Sequence, residues 1–190
     1  MDLLYDRNRP KKTAESYGKL AVQQRMRLAM AFLNPLRSVI AESWLGHGKG
    51  SKKKAFGQAL KKLMEDALEG DYPDQHVIPE RVCISTGILP GLLAEDAVRS
   101  ERTLEVYFSS REAPLARAND EVVLVVYSPQ RGIAARNTHI CKRDEGYIKV
   151  NLPPQLWTVS FHVYVFVHSA SKKQYSKSVH LGQLEAPQEG

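Results

Sequence analysis

The sequence has no long hydrophobic run, and this shortage excludes a membrane-spanning protein. The longest apolar stretch, Trp157 to Val167, is shorter than the ~20 residues that cross a bilayer. Thr158, Ser160 and His162 also interrupt it. The first residues contain no apolar core of a secretory signal, so we expect a cytoplasmic protein that does not contact membranes.

Cysteine is scarce, with only Cys83 and Cys141, and neither lies in a C-x-x-C pair. Isolated cysteines in a cytosolic protein are typically buried thiols, so we expect no disulfide. His162, His168 and His180 fall on the last predicted hairpin, where His162 and His180 would be diagonal neighbours. Zinc needs three or four converging ligands, so we expect no metal site and no cofactor.

Catalytic signatures are also missing. The glycine-rich loop at 46–50 is not a phosphate-binding loop, because Lys49 is followed by Gly50 and a helical pattern precedes it. No serine has the Gly-x-Ser-x-Gly context of a hydrolase nucleophile. We therefore expect no enzymatic activity and no small-molecule substrate.

Positive charge is present in excess, and it is concentrated near the N-terminus. Residues 1–70 hold 14 Lys and Arg against 7 Asp and Glu, whereas residues 71–190 hold 13 against 14. The candidate binding cations form two clusters: Arg9, Lys11 and Lys12, and Lys49, Lys52, Lys53 and Lys54. Such clusters neutralise phosphates in nucleic-acid-binding proteins, but lysines also simply solvate loops and helix starts. Both interpretations stay open.

Helical periodicity fills residues 13–70, after an extended basic lead-in at 1–12. Good helix formers predominate, and Asn34-Pro35 and the loop at 46–50 interrupt the pattern. The predicted helices, two to three in number, are Ala14–Leu33, Pro35–Trp44 and Lys52–Leu68.

From residue 71 the period changes to the alternation of β-strands. The seven predicted strands are Val82–Ser85, Thr103–Phe108, Val122–Tyr127, Ile133–Cys141, Ile148–Leu152, Trp157–His168 and Tyr175–Leu181. Because no helical pattern separates them, residues 71–183 predict an antiparallel sandwich of the immunoglobulin or fibronectin type III class. Residues 184–190 form a tail, and the overall class is α+β.

Three aromatic residues are candidates for a binding surface. Trp44 is either an interface anchor or a residue of the seam between helices and sandwich, and we favour the seam. Tyr164 and Phe166 lie on the second face of the strand Trp157–His168. A sandwich covers only its inner faces, so the helices or a partner must cover this pair, and we expect the helices.

Several short segments of the sequence resemble those of a known family. They are Arg9-Pro10-Lys11-Lys12, the helix from Gln24 through Asn34-Pro35-Leu36, the turn Gly70-Asp71-Tyr72-Pro73-Asp74, Thr86-Gly87-Ile88-Leu89-Pro90-Gly91, the strand Glu121 to Pro129, and the hairpin end Ser176 to Gly182. Together they resemble the uncharacterised bacterial domain-of-unknown-function family 6266, over about residues 8–182. The resemblance implies a fold and carries no activity.

Our leading hypothesis is a non-enzymatic protein-interaction or structural-assembly module whose sandwich binds a protein partner or a second copy of itself. The alternative hypothesis is a nucleic-acid-associated protein that contacts phosphates through the N-terminal basic clusters. The two differ in salt dependence, because phosphate contacts weaken steeply as salt rises.

Overall fold

The computed structural model describes residues 16–44, 52–109 and 113–187, and the chain is α+β. The helices are α1 Tyr17–Leu33, α2 Arg37–Ser43 and α3 Lys52–Asp66. The strands are β1 Leu68–Glu69, β2 His76–Val77, β3 Leu93–Arg99, β4 Thr103–Ser109, β5 Glu121–Ser128, β6 Ile133–Arg136, β7 Tyr147–Asn151, β8 Phe161–His168 and β9 Val179–Leu184. No helix in these ranges is long and apolar enough to cross a membrane.

The first two helices follow one another without an intervening loop. A 3-10 turn at Asn34–Leu36 joins α1 to α2, so the chain stays helical through the predicted break. The prediction of two separate helices here is therefore wrong. Pro35 lies at the start of the 3-10 turn, where a proline, which has no backbone N–H, is well tolerated.

The strands form three antiparallel sheets. β1 and β2 make a two-stranded sheet, β3-β4-β7 a three-stranded sheet and β6-β5-β8-β9 a four-stranded sheet. The described residues form nine strands rather than the seven predicted. The short β1–β2 pair and β3 are additional, and the strand predicted at Val82–Ser85 does not form.

Two of these errors, the missed strand β3 and the strand expected at 82–85, have physical causes. β3 reads Leu-Ala-Glu-Asp-Ala-Val-Arg, and a register shift between Ala94 and Asp96 breaks its alternation. Residues 82–85 are buried like a strand but lie outside every sheet. Serine side chains bond to this backbone instead: Ser178 Oγ accepts from the N–H of Ile84 at 2.9 Å, and Ser43 Oγ donates to the carbonyl oxygen of Ile84 at 2.8 Å.

The central strands β5 and β8 lie between two apolar cores. The helix–sheet core contains helical residues together with Val123, Val125, Tyr127, Tyr164 and Phe166. The sheet–sheet core contains the alternate residues of the same strands and the inner residues of β4 and β7. The alternation predicted for the strand ending at His168 is thus confirmed over β8, with each face buried in a different core.

A buried ion pair fixes the start of β5. The side chains of Arg143 and Asp120 are each 1% exposed, and Arg143 Nε lies 3.4 Å from Asp120 Oδ2. The guanidinium also donates to the carbonyl oxygens of Pro90 and Gly91. The N–H of Arg117 donates to the Asp120 carboxylate, so both charged groups have polar partners inside the protein.

A second arginine joins the edges of the two larger sheets. Arg99, at the end of β3, donates to the carbonyl oxygens of Leu156, Trp157, Val159 and Glu185. Its planar fork of N–H donors suits several carbonyls at once. Arg99 therefore ties β3 to the chain that follows β9.

Candidate protein-interaction surface

The predicted basic clusters lie largely beyond the side chains that the structure describes. Arg9, Lys11, Lys12 and Lys49 are outside the described residues, and Lys52 and Lys53 are described only as backbone of α3. Lys54 is exposed in the first turn of that helix. The structure therefore places three of the seven cations on one helix end.

The three predicted interface aromatics are core residues. Trp44 is 7% exposed, Tyr164 0% and Phe166 4%, and all three belong to the helix–sheet core. Their assignment as surface anchors is wrong, because the helices cover this face of the four-stranded sheet. The seam position that we favoured for Trp44 and the helical cover over Tyr164 and Phe166 agree with this packing.

A different pair of aromatic residues is exposed. Tyr107 on β4 and Tyr147 on β7 are directly opposite each other in the antiparallel register. Their rings are stacked, with centroids 6.2 Å apart and planes at 24°. Tyr107 is 39% exposed and Tyr147 is 53% exposed. The outer face of the three-stranded sheet thus presents two aligned aromatic rings.

A carboxylate holds this pair in place. Glu105 Oε2 accepts from the Tyr107 hydroxyl at 2.8 Å, and Glu105 Oε1 accepts from Lys149 Nζ at 2.6 Å. The hydrogen bond from Lys149 lowers the pKa of Glu105, and the bond to Glu105 raises the pKa values of Tyr107 and Lys149. The tyrosine hydroxyl is therefore oriented along the sheet surface.

Apolar and acidic side chains extend the same surface onto β3. Val98 is opposite Glu105 in the register, and Asp96 is opposite Tyr107. Val98 is 44% exposed, and Leu93 at the start of the strand is 41% exposed. We call the surface formed by Leu93, Asp96, Val98, Glu105, Tyr107, Tyr147 and Lys149 the tyrosine face.

The sequence analysis did not single out the tyrosine face, although part of the signal was present. Tyr107 lies on the polar side of an alternating strand, where an aromatic residue is exposed unless something covers it. Alternation within one strand could not show that Tyr147 lies beside it. That neighbour depends on the pairing of β4 with β7, which join residues 40 positions apart.

Two histidines form a half-buried pair behind the helices, as the sequence predicted. His162 Nδ1 on β8 lies 3.2 Å from His180 Nε2 on β9, so one nitrogen donates and the other accepts. Burial lowers the pKa of both rings, and His162 lowers the pKa of His180 further. The carboxylates of Glu80 and Glu185 act weakly in the opposite direction.

We expect the free energy of unfolding to decrease when the pH is lowered from about 7.5 to about 5.5. Both folded-state pKa values lie below the ordinary 6.5, so the unfolded chain binds more protons in this range. The stability present above pH 6.5 is lost below it, by about 1 kcal/mol in urea unfolding. Changing both residues to asparagine should flatten this dependence, whereas His139→Gln, at an exposed histidine, should preserve it. An unchanged slope in the asparagine variant would contradict the assignment.

The cysteines and acidic residues do not assemble into a metal centre in the described parts of the chain, where no group of three or more metal-ligating side chains converges. Cys83 and Cys141 are free buried thiols in different cores. Burial raises the pKa of the Cys141 thiol to about 12, so it stays protonated at neutral pH.

Comparison with known proteins identifies one family. A family model described as "Family of unknown function (DUF6266)" matches residues 2–182. No curated protein matches the chain.

Proposed function

Because the chain belongs to the family of unknown function DUF6266, whose description assigns no activity, we propose a role from its own surface. We propose that it is a non-enzymatic protein-interaction module and that the tyrosine face is its contact surface. The partner is a second protein, or another copy of the chain in a structural assembly.

We also propose that the three-stranded and four-stranded sheets together form one sandwich. Three strands in one sheet and four in the other share a single apolar core, and all their pairings are antiparallel. These features support a seven-stranded sandwich of the immunoglobulin or fibronectin type III class. Such a sandwich supplies a rigid sheet on which a binding surface is preformed.

The observation that carries the proposal is the contrast between the two outer sheet faces. Helices cover the outward aromatic residues of the four-stranded sheet, so Tyr164 and Phe166 are buried. Tyr107 and Tyr147 occupy the outer face of the other sheet, and no described element buries them. Exposed tyrosines offer large contact area at low cost in side-chain entropy, and they are enriched among binding hot spots.

The preorganisation of the face adds to this argument. Stacking and the hydrogen bond to Glu105 already restrict the Tyr107 ring in the free protein. A partner would therefore pay less to order the tyrosines than it would for freely rotating side chains.

A second candidate function, binding to nucleic acid, is favoured by the charge order of α3. The helix carries five lysines, three of them in its first turn, and its two acids are at its last turn. Both placements oppose the helix macrodipole, each at a cost of about 0.3–1 kcal/mol. A bound polyanion would offset that cost, and the cations around Lys52, Lys53 and Lys54 would supply the contacts.

The test replaces the two tyrosines of the tyrosine face. Tyr107→Ala with Tyr147→Ala should weaken capture of the protein partner by about ten-fold, as loss of a hot-spot pair does. Binding proteins from the native host are captured, identified and titrated against each variant. Val22→Ser on α1, where Val22 is 61% exposed, is the matched control and should bind as the unaltered chain does.

Light scattering at low and high salt separates the two candidates. An assembly that persists in high salt and is lost in the double tyrosine variant supports the tyrosine face. Co-eluting nucleic acid that disappears in high salt and in Lys52→Glu with Lys53→Glu supports the second candidate. Equal capture by the double tyrosine variant and the control would refute the tyrosine face.

A further inference from the structure

A cleft of about 310 Å³ opens between α2 and the start of β5, away from the tyrosine face. Val39 of α2 and Phe166 of β8 are part of its apolar lining, and Ile140 lies at its edge. The volume is at the lower end of the range for small-molecule sites. The cleft therefore suits a ligand of a few heavy atoms rather than a large cofactor.

A tyrosine ring lies in this cleft. Tyr175 is 6% exposed, and its ring packs against Phe166 and His168. Tyr175 is one of the residues that line the cleft. Burial raises the pKa of Tyr175, with Glu42 adding to the effect and Arg136 opposing it. The hydroxyl is thus a neutral donor near both of these charges.

Charges of both signs line the same cleft. Arg136 Nη1 on β6 bonds to Glu42 Oε2 on α2 at 2.7 Å. Glu121 Oε2 lies 3.5 Å from His168 Nε2 across β5 and β8. Lys172 completes the set, so the charges of the two cations and the two carboxylates cancel.

We propose that this cleft binds a small zwitterion, namely a free α-amino acid with an apolar side chain. The ligand carboxylate is held by Arg136 and the Tyr175 hydroxyl, and its ammonium by Glu121. The side chain lies on Val39 and Phe166.

Charge balance favours a zwitterion over an ion of one sign. A lone anion or cation would leave one net charge that no opposite charge on the cleft lining balances. An amino acid adds one charge of each sign and keeps the sum at zero.

The experiment uses calorimetric titration of the full chain with three matched probes. L-leucine carries both charges, 4-methylpentanoate lacks the ammonium group, and 3-methylbutylamine lacks the carboxylate. We expect leucine to bind at least ten-fold more tightly than either fragment, because each fragment lacks one of the two charged contacts. L-alanine and L-phenylalanine test the size of the apolar site.

Variants test which residues bind the carboxylate and which bind the ammonium group of the ligand. Arg136→Gln should weaken leucine and 4-methylpentanoate together, Glu121→Gln should weaken leucine but not 4-methylpentanoate, and Tyr175→Phe should weaken leucine by about three- to ten-fold. Arg131→Gln, in the exposed turn after β5, is the control and should change nothing. The proposal is overturned if none of the three amino acids binds at ~10 mM. It is equally overturned if 4-methylpentanoate binds as tightly as leucine, or if the control weakens binding as much as Arg136→Gln.

Discussion

Replacing Arg143 with alanine is expected to lower the free energy of unfolding by about 3–5 kcal/mol. The change leaves the Asp120 carboxylate buried. Among the described residues, the carboxylate then keeps one hydrogen bond, from the backbone N–H of Arg117. It also removes the donors that satisfy the carbonyls of Pro90 and Gly91. Uncompensated buried charge and unpaired carbonyls are both expensive, and here they occur together. Urea unfolding followed by circular dichroism measures the loss.

A double variant shows whether the loss of stability comes from the unpaired charge or from the loss of the Arg143 side chain itself. Arg143→Met with Asp120→Leu removes both charges while keeping similar volume, so it should be clearly more stable than Arg143→Ala. Arg143→Lys should be intermediate, because one ammonium cannot reach every acceptor that the guanidinium spans. A loss below about 1 kcal/mol for Arg143→Ala would show that Asp120 is not held by this ion pair.

Gly87→Ala is the second substitution with a large expected effect. A Cβ at residue 87 would lie 2.0 Å from the carbonyl oxygen of Tyr175, a backbone atom that cannot rotate away. The same oxygen accepts a hydrogen bond from the N–H of Leu89. Separating the two segments should therefore cost about 2–3 kcal/mol, at the upper end of overpacking effects.

A neighbouring glycine provides the control for this prediction. A Cβ on Gly91 meets no atom within 4 Å, so Gly91→Ala should change the stability by less than about 0.5 kcal/mol. Thermal unfolding of both variants measures the difference. Equal stability of the two would mean that the contact between Gly87 and Tyr175 relaxes without cost.

Local patterns in the sequence predicted much of this architecture. The helices follow from apolar spacing, and the alternation along β8 separates Val163 and Val165 from Tyr164 and Phe166. The contact between His162 and His180 also follows from the geometry of one hairpin. Each of these features depends on residues that are close in the chain, where periodicity is informative.

Features that depend on long-range packing were not predictable in the same way. The register shift in β3 removes the alternation that marks a strand. Residues 82–85 have strand-like burial, but a serine nearly a hundred positions later bonds to their backbone. The cleft brings α2, β5, β6 and β8 together, and its charged residues have no common spacing in the sequence. The absence of known motifs in the sequence was therefore a weak reason to expect no small-molecule site.

The sharing of β5 and β8 between the two cores has a consequence for how the protein can be divided. A fragment without the helices would present Val123, Val125, Tyr164 and Phe166 to water on one broad apolar sheet. Such a surface promotes aggregation, so we expect that the strands do not fold as an autonomous unit. The change from helical to alternating periodicity near residue 70 therefore marks a boundary in the sequence pattern. We do not expect the helical part and the strand part to be exchangeable separately at this point.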